Sequence, residues 1–326
     1  MEFEKRLELV RRNVSEIVTE QELEKLLEEK KQPIVYHGFE PSGELFHIGY
    51  LIGINKHLDF QKAGLKLKIL LADFHAFLNE KGDLEQIKKT AKKYALGFEA
   101  LGVDIKKADI LLGSSFQLKP EYFSDMMKLS LKVRMLRAKR SMTLVGREEE
   151  DPHISQFLYP IMQALDMKHL GADIAFGDLA QRKMHMLARE ELPALGFKAP
   201  VAMHHEFMQG LQGGKMSSSI PKSSIAINES PENIHKKLSD AFCPAKQIKD
   251  NPVLQICKFV IFSRESSFKV ERDKKFGGDV SYKNYEQLEK DFASGKLHPL
   301  DLKKAVSASL EKILAPVRKK IPGNQK

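Results

Sequence analysis

Three short apolar runs, each closed by a glycine or an aspartate and separated by helix-length segments, constrain this chain more than any other feature. Ile34-Val35-Tyr36-His37-Gly38 reads as a buried strand. Leu67-Lys68-Ile69-Leu70-Leu71-Ala72, followed by Asp73, reads as a second, and Asp109-Ile110-Leu111-Leu112-Gly113 as a third. Between the first two, a helical pattern runs from about His47 to Ala63, with Gly64 as its C-cap. Between the second and third, Asp83 caps a helix that reaches Leu101 and stops at Gly102. This β-α-β-α-β order specifies a parallel sheet covered by helices on both faces. A capping box, Thr19-Glu20-Gln21-Glu22, starts an earlier helix that ends near Lys30.

Residues from about 114 to 160 read as a helical insertion, after which Asp173-Ile174-Ala175-Phe176-Gly177 resumes the sheet. Open parallel sheets bind ligands beyond the carboxyl ends of their strands, so Gly38, Asp73, Gly113 and Gly177 should line one crevice. A second region starts at Ser230-Pro231-Glu232, with proline at the first helical position. The expected fold class is α/β: a Rossmann-like parallel sheet with a helical insertion over residues 1–229, then a mainly α-helical domain over residues 230–326.

The chain's 326 residues, 42% of them hydrophobic, suffice for one large domain and a smaller one. Net charge is +9, unevenly spread: residues 229–326 carry 20 Lys/Arg against 13 Asp/Glu. Residues 128–147 hold Lys128, Lys132, Arg134, Arg137, Lys139, Arg140 and Arg147 with no acid among them. A charge run is usually a solvated helix face, but two separated basic zones also suit two contacts on one polyanion. An anionic membrane surface is the rival partner, and neither an amphipathic anchor nor a lipidation signal supports it. Cys243 and Cys257 are too few for a thiolate zinc site or a disulfide framework, so no metal site is expected and the two read as reduced thiols. The charged start Met1-Glu2-Phe3-Glu4-Lys5-Arg6 offers no apolar signal region, and no run approaches a membrane span. A soluble, cytoplasmic protein is expected.

Two segments could handle a nucleotide. Pro41-Ser42-Gly43-Glu44-Leu45-Phe46-His47-Ile48-Gly49 places a histidine and a glycine where a helix follows a strand. Helix N-termini attract phosphate, a histidine there can donate to it, and a glycine lets a flat ring come close. An ordinary strand-turn-helix is the alternative. Gly213-Gly214-Lys215-Met216-Ser217-Ser218-Ser219, within a loop over 213–222, combines glycine hinges, a mobile cation and hydroxyl donors that could close over a triphosphate. Its spacing is not that of a P-loop, and a flexible surface linker is the alternative. Tyr159, Gln163 and Asp166 fall four and three residues apart, on one helix face amid Ile, Met and Leu. A buried aspartate needs a partner, for which a phenol hydroxyl is suitable; a capping or structural aspartate is the alternative.

Taken together, these residues resemble a class I aminoacyl-tRNA synthetase, specifically the tyrosyl-tRNA synthetase family of archaeal/eukaryotic type, over nearly the whole chain. His47-Ile48-Gly49-Tyr50 stands at the HIGH signature, with Tyr50 in place of its last histidine. Lys215 to Ser219 stands at the KMSKS signature, with Ser218 in place of its second lysine. Tyr36 to Gly43, Leu71 to Ala76, Tyr159 to Asp166 and Gln181 to His185 resemble the first strand and turn, the second strand and its exit, and the amino-acid pocket. Phe276-Gly277-Gly278-Asp279 and His298 to Lys303 resemble the anticodon-binding part.

The resemblance implies ATP-dependent activation of L-tyrosine and its transfer to tRNA(Tyr), with Mg²⁺ accompanying ATP, in a homodimer joined through the insertion. It implies catalytic roles for His47 and Lys215, and L-tyrosine contacts from Tyr36, Tyr159, Gln163, Asp166 and Gln181. It also implies ATP contacts from Gly38, His47, Gly49, Lys215 and Ser218. His75 and Gln117 would line the pocket. Arg140, Arg182 and Lys183 would meet the acceptor stem, and Phe276 and Asp301 the anticodon. A tryptophanyl-tRNA synthetase, a non-catalytic tRNA-binding paralogue and a nucleotidyltransferase without an RNA partner are the competing readings.

Overall fold

A computed structural model describes residues 2–142, 151–214, 216 and 220–322. They form two compact units. The first comprises residues 1–44, 56–95 and 103–206, and holds a six-stranded sheet. Its strands are β1 (Glu16–Val18), β2 (Ile34–Phe39), β3 (Lys66–Leu71), β4 (Ala108–Leu112), β5 (Ile174–Asp178) and β6 (Val201–His205), in spatial order β1-β6-β5-β2-β3-β4. All neighbours are parallel except β1, the edge strand, which runs antiparallel along β6.

The four strands read from sequence are β2, β3, β4 and β5; Gly38 lies opposite Leu70, Leu70 opposite Leu111, and Val35 opposite Ile174. Chain order reverses between β2 and β5, so the crevice for a ligand opens beyond their carboxyl ends. Strands β1 and β6 escape the sequence reading. One has three residues, and the other, Val-Ala-Met-His-His, has a single β-branched residue and no Phe, Tyr or Trp to mark it as a strand. The described part of the insertion is helical, with Ser114–Gln117, Pro120–Ser130 and Met135–Met142, followed after residue 150 by Ile154–His169. That last helix is buried from Tyr159 to Met167 and shares an apolar core with Tyr36, Leu70, Tyr122, Ala175 and Leu187.

The second unit comprises residues 45–55, 96–102 and 207–326. It is mainly helical, with Pro231–Ser239, Pro252–Ile256, Tyr285–Ser294 and Pro299–Lys320. Ser230 caps the first of these by accepting from the Asn233 amide, and Pro231 opens it, as its sequence requires. A two-stranded hairpin, β7 (Phe268–Val270) with β8 (Val280–Tyr282), was not legible in the sequence. Both cysteines are buried free thiols. Among the described residues, no helix is long and apolar enough to cross a membrane.

Candidate active site

The strands deliver their site residues at their ends. Tyr36 lies on β2, Asp73 and His75 follow β3, Gln117 follows β4, and Gln181 follows β5 in a turn capped by Asp178. Glycines at these exits make the room. A Cβ on Gly38 would stand 2.7 Å from the Tyr36 hydroxyl, and one on Gly113 would stand 2.5 Å from Gln117 Oε1 and 3.1 Å from Asp73 Oδ1. One on Gly177 would stand 3.1 Å from the Gln181 side chain. In this unit Gly38 therefore serves Tyr36.

Tyr159, Gln163 and Asp166 share one face of the 154–169 helix, and all are buried. Asp166 is fully buried; its Oδ1 accepts from Gln117 Nε2 and from the Tyr122 hydroxyl, each at 2.8 Å. Its Oδ2 is buried with no hydrogen-bond partner among the described residues, as are Gln117 Oε1 and Asp73 Oδ2. His75 Nε2 lies 3.5 Å from Asp166 Oδ2, but burial drives the imidazole down to about 3, so it is neutral and no ion pair forms. Burial likewise raises Asp166 to about 7, against the smaller pull of its two donors. Tyr36 is buried close enough for the Asp166 charge to add to burial in raising its phenol well above the ordinary range.

The other end of the polar face is built differently. The Tyr159 hydroxyl donates to Glu40, which also accepts from Asn79 Nδ2 at 3.1 and 3.3 Å. Gln163 Nε2 donates to Gln181 Oε1 at 2.8 Å. The first unit thus brings together Tyr36, Tyr159, Gln163, Asp166 and Gln181, along with His75 and Gln117. Sequence reasoning missed Glu40 and Tyr122. Glu40 follows the first strand by one residue, where an acid looks like a turn residue, and Tyr122 sits on a helix whose apolar neighbours disguise it as core.

In the second unit, the helix expected from His47 starts differently. A 3₁₀ turn, Ile48–Tyr50, precedes the α-helix Leu51–Lys62, and His47 caps the turn. Its Nδ1 accepts from the Gly49 amide at 3.1 Å, so a neutral ring carries its proton on Nε2. Gly49 serves that fold-back, because a Cβ there would stand 2.7 Å from His47 Cε1. The Tyr50 ring stands edge-on to His47, centroids 5.0 Å apart. Lys215 and Ser218 lie outside the described residues.

The basic candidates are at the surface. Arg140 and Lys183 are exposed, and Arg182 is paired with Glu16 at 2.8 Å. Arg137 binds Glu190 at 2.9 Å and the Lys183 carbonyl at 3.4 Å, which ties the helix carrying Arg140 to the helix carrying Lys183. Arg137, and Lys128 through Asp125 at 3.4 Å, are therefore used within the fold. Phe276, 62% exposed, lies in the β7–β8 connection with Lys275 Nζ 5.0 Å above its ring. Asp301 occupies the first turn of the Pro299–Lys320 helix. Among the described residues, no group of three or more His, Cys, Asp or Glu is arranged to hold a metal ion.

A family model described as tRNA synthetases class I (W and Y) matches residues 28–315. The tyrosine–tRNA ligase of Methanopyrus kandleri is 48% identical over 98% of this chain and 99% of its own length. That of Methanococcoides burtonii is 50% identical over 96% and 98%. The crystal structure of tyrosyl-tRNA synthetase complexed with L-tyrosine from Archaeoglobus fulgidus is similar at a TM-score of 0.95 and 46% identity, over 98% of this chain and 99% of that one. Tryptophanyl-tRNA synthetase from Aeropyrum pernix shares the fold at a TM-score of 0.74 and 20% identity. With sequence and architecture agreeing over almost its full length, the chain belongs to the class I tRNA synthetases of the tryptophan and tyrosine group.

Proposed function

We infer that the chain is an aminoacyl-tRNA ligase for tyrosine. It activates L-tyrosine with ATP and passes the tyrosyl group to the 3′ end of tRNA(Tyr). The observation that carries this reading is the unpaired Asp166 Oδ2, fully buried beside the unpaired Gln117 Oε1 and Asp73 Oδ2. Buried polar atoms without partners are costly, and a ligand hydroxyl that donates to Oδ2 relieves the cost. L-Tyrosine fits, its phenol toward Asp166 and Tyr36, and its amino-acid end toward Tyr159, Gln163 and Gln181. Phenylalanine would leave the carboxylate stranded. Discrimination of roughly 10⁴–10⁵ on this principle is a figure known for this very enzyme class rather than one obtained from the geometry.

In the first step the tyrosine carboxylate attacks the α-phosphorus of ATP, the bond to pyrophosphate breaks, and tyrosyl-adenylate forms. In the second, a terminal ribose hydroxyl of the tRNA attacks the tyrosyl carbonyl and AMP leaves. Neither step needs a side-chain nucleophile; positioning and charge stabilisation suffice. His47 Nε2–H is the proposed donor to a phosphate oxygen, and Lys215 the cation that meets charge developing on pyrophosphate. Gly38, Gly49 and Ser218 are the further ATP contacts proposed, with Mg²⁺ arriving on the ATP phosphates.

Arg140, Arg182 and Lys183 are assigned to the acceptor stem, and Phe276 and Asp301 to an unpaired anticodon base. A homodimer is supported by the apolar exposure of Leu118, Phe123, Met127, Leu131, Met135 and Leu136 on and beside the insertion helices, with Leu131 87% exposed. The cytoplasm is the compartment proposed.

The test is ATP–pyrophosphate exchange with each standard amino acid in turn. Exchange with tyrosine alone is expected. Exchange with tryptophan instead would overturn the substrate, and silence with every amino acid despite tight tRNA binding would mark a non-catalytic paralogue.

A further inference from the structure

We propose that Glu40 is a positioning residue for the substrate's ammonium group, acting through the Tyr159 hydroxyl. The proposal rests on the reading that an amino acid occupies the pocket lined by Tyr159, Gln163 and Asp166.

Tyr159 has one phenolic proton, and it donates that proton to Glu40 Oε1. Burial, then the nearby Glu40 charge, raises the phenol well above its ordinary range, so the proton stays on the ring oxygen. With its proton committed, the oxygen presents only lone pairs to anything else. It can accept from a ligand but cannot donate to one. The His75 ring, edge-on with centroids 4.5 Å away, packs against the phenol and limits its swing. Asn79 is buried and donates to both Glu40 oxygens, which fixes the carboxylate that receives the proton.

A carboxylate in this position does two things. It sets the hydrogen-bonding polarity of Tyr159, which then suits an ammonium and disfavours an acceptor such as the substrate carboxylate. It also places a negative charge one hydrogen bond behind that ammonium, in surroundings where charge is weakly screened. Burial raises the Glu40 carboxyl, while the Tyr159 and Asn79 hydrogen bonds and the Lys81 charge act in the opposite sense and favour its ionised form. The two ends of the pocket are therefore complementary in kind. Asp166 is a bare acceptor for a hydroxyl, whereas Glu40 makes an acceptor out of a residue that would otherwise be free to donate. Tyr159 without Glu40 could turn its proton toward the substrate and lose its preference.

The experiment measures binding of L-tyrosine and of its desamino analogue, 3-(4-hydroxyphenyl)propionate, by calorimetry to the full chain, its Glu40→Gln variant, Tyr159→Phe and the double variant. Glu40→Gln should weaken tyrosine by roughly 10–100-fold, the scale of a hydrogen bond to a charged group, and change the analogue by less than about 3-fold. The double variant should bind tyrosine no more weakly than the poorer single variant by more than about 3-fold, because both changes remove one coupled unit. Equal loss of both ligands, or fully additive losses, would overturn the proposal by making Glu40 a general structural support. Failure of the unaltered chain to bind tyrosine would overturn the pocket reading itself, and the proposal with it.

Discussion

The pocket around Asp166 and the exposed turn at Phe276 are the two places where the chain is proposed to read its substrates, and they are built on opposite principles. Asp166 is fully buried, carries one unpaired oxygen, and is raised to about 7 by the loss of water. Phe276 is 62% exposed, with the Lys275 ammonium above its ring. A buried reader costs the empty protein stability, and a ligand recovers that cost only if it supplies the missing group. An exposed reader costs almost nothing and gains correspondingly less from each contact. Selectivity should therefore sit in the first unit, and additive, tolerant affinity in the second.

The largest effect expected from this contrast is that of Asp166→Ala. It removes the acceptor for the phenol and strands Gln117 Nε2, which now donates to it, while the Tyr122 hydroxyl keeps the Met162 carbonyl at 2.8 Å. A buried donor left without its acceptor costs about 1–3 kcal/mol, and two are left here, the substrate phenol and Gln117 Nε2, on the order of 10²–10⁴-fold in kcat/KM for tyrosine activation. ATP affinity should stay within a few-fold. Parallel loss of tyrosine and ATP binding would mean that the pocket had collapsed, and would break the comparison.

A second effect follows from the burial cost itself. Asp166 rises from an ordinary 3.8 to about 7, so between those values the folded protein holds a proton that the unfolded chain has released. Stability contributed by this group is thus present at the acid end and is lost as pH rises through that window. Asparagine cannot ionise and carries no such loss. Asp166→Asn should therefore gain on the unaltered protein as pH rises from about 4 to 8, by at most roughly 4 kcal/mol for a three-unit rise. Ligand-free melting curves at pH 4.5 and pH 8 check it. A difference in Tm that opens by a few degrees is expected, and one that stays constant would remove the claim that the empty pocket is under electrostatic cost.

How much of this was visible beforehand depended on the distance over which each feature is determined. The strands at Ile34, Leu67 and Asp109 were legible because a doubly covered parallel strand is largely apolar, and the exit glycines because each marks a place where a site side chain needs space. The face shared by Tyr159, Gln163 and Asp166 was legible from helical spacing alone. Tyr122 was not, since its hydroxyl meets Asp166 across 44 positions of sequence, and no local pattern marks such a partner. Glu40 was hidden for the same reason, lying 119 positions from Tyr159. Nor did the sequence reveal that His47 folds back onto the Gly49 amide, because a turn that starts 3₁₀ and continues as α has the same apolar spacing as one that is α throughout.

Phe276→Ala is the smallest and sharpest test of the surface half of the comparison. The β7–β8 connection is held by its own contacts: Arg272 donates to the Gly278 carbonyl at 2.9 Å, and Lys269 pairs with Asp279 at 2.8 Å. None of these uses the Phe276 side chain, so truncating it should leave the turn formed and stability within about 0.5 kcal/mol, as for other exposed substitutions. Stacking of an unpaired base on an aromatic ring contributes about 1–3 kcal/mol. An exposed ring at the low end of that range predicts a rise of about 5- to 10-fold in KM for tRNA, with ATP–pyrophosphate exchange unchanged. Leucine in place of phenylalanine would keep the apolar surface but lose the π-face, so Phe276→Leu should resemble alanine, whereas Phe276→Tyr should resemble the unaltered chain. If leucine restored tRNA affinity, the contact would be hydrophobic covering and not base stacking. A fall in exchange on truncation would show that Phe276 also bears on the amino-acid site, and the separation between a costly buried reader and an inexpensive exposed one would no longer hold.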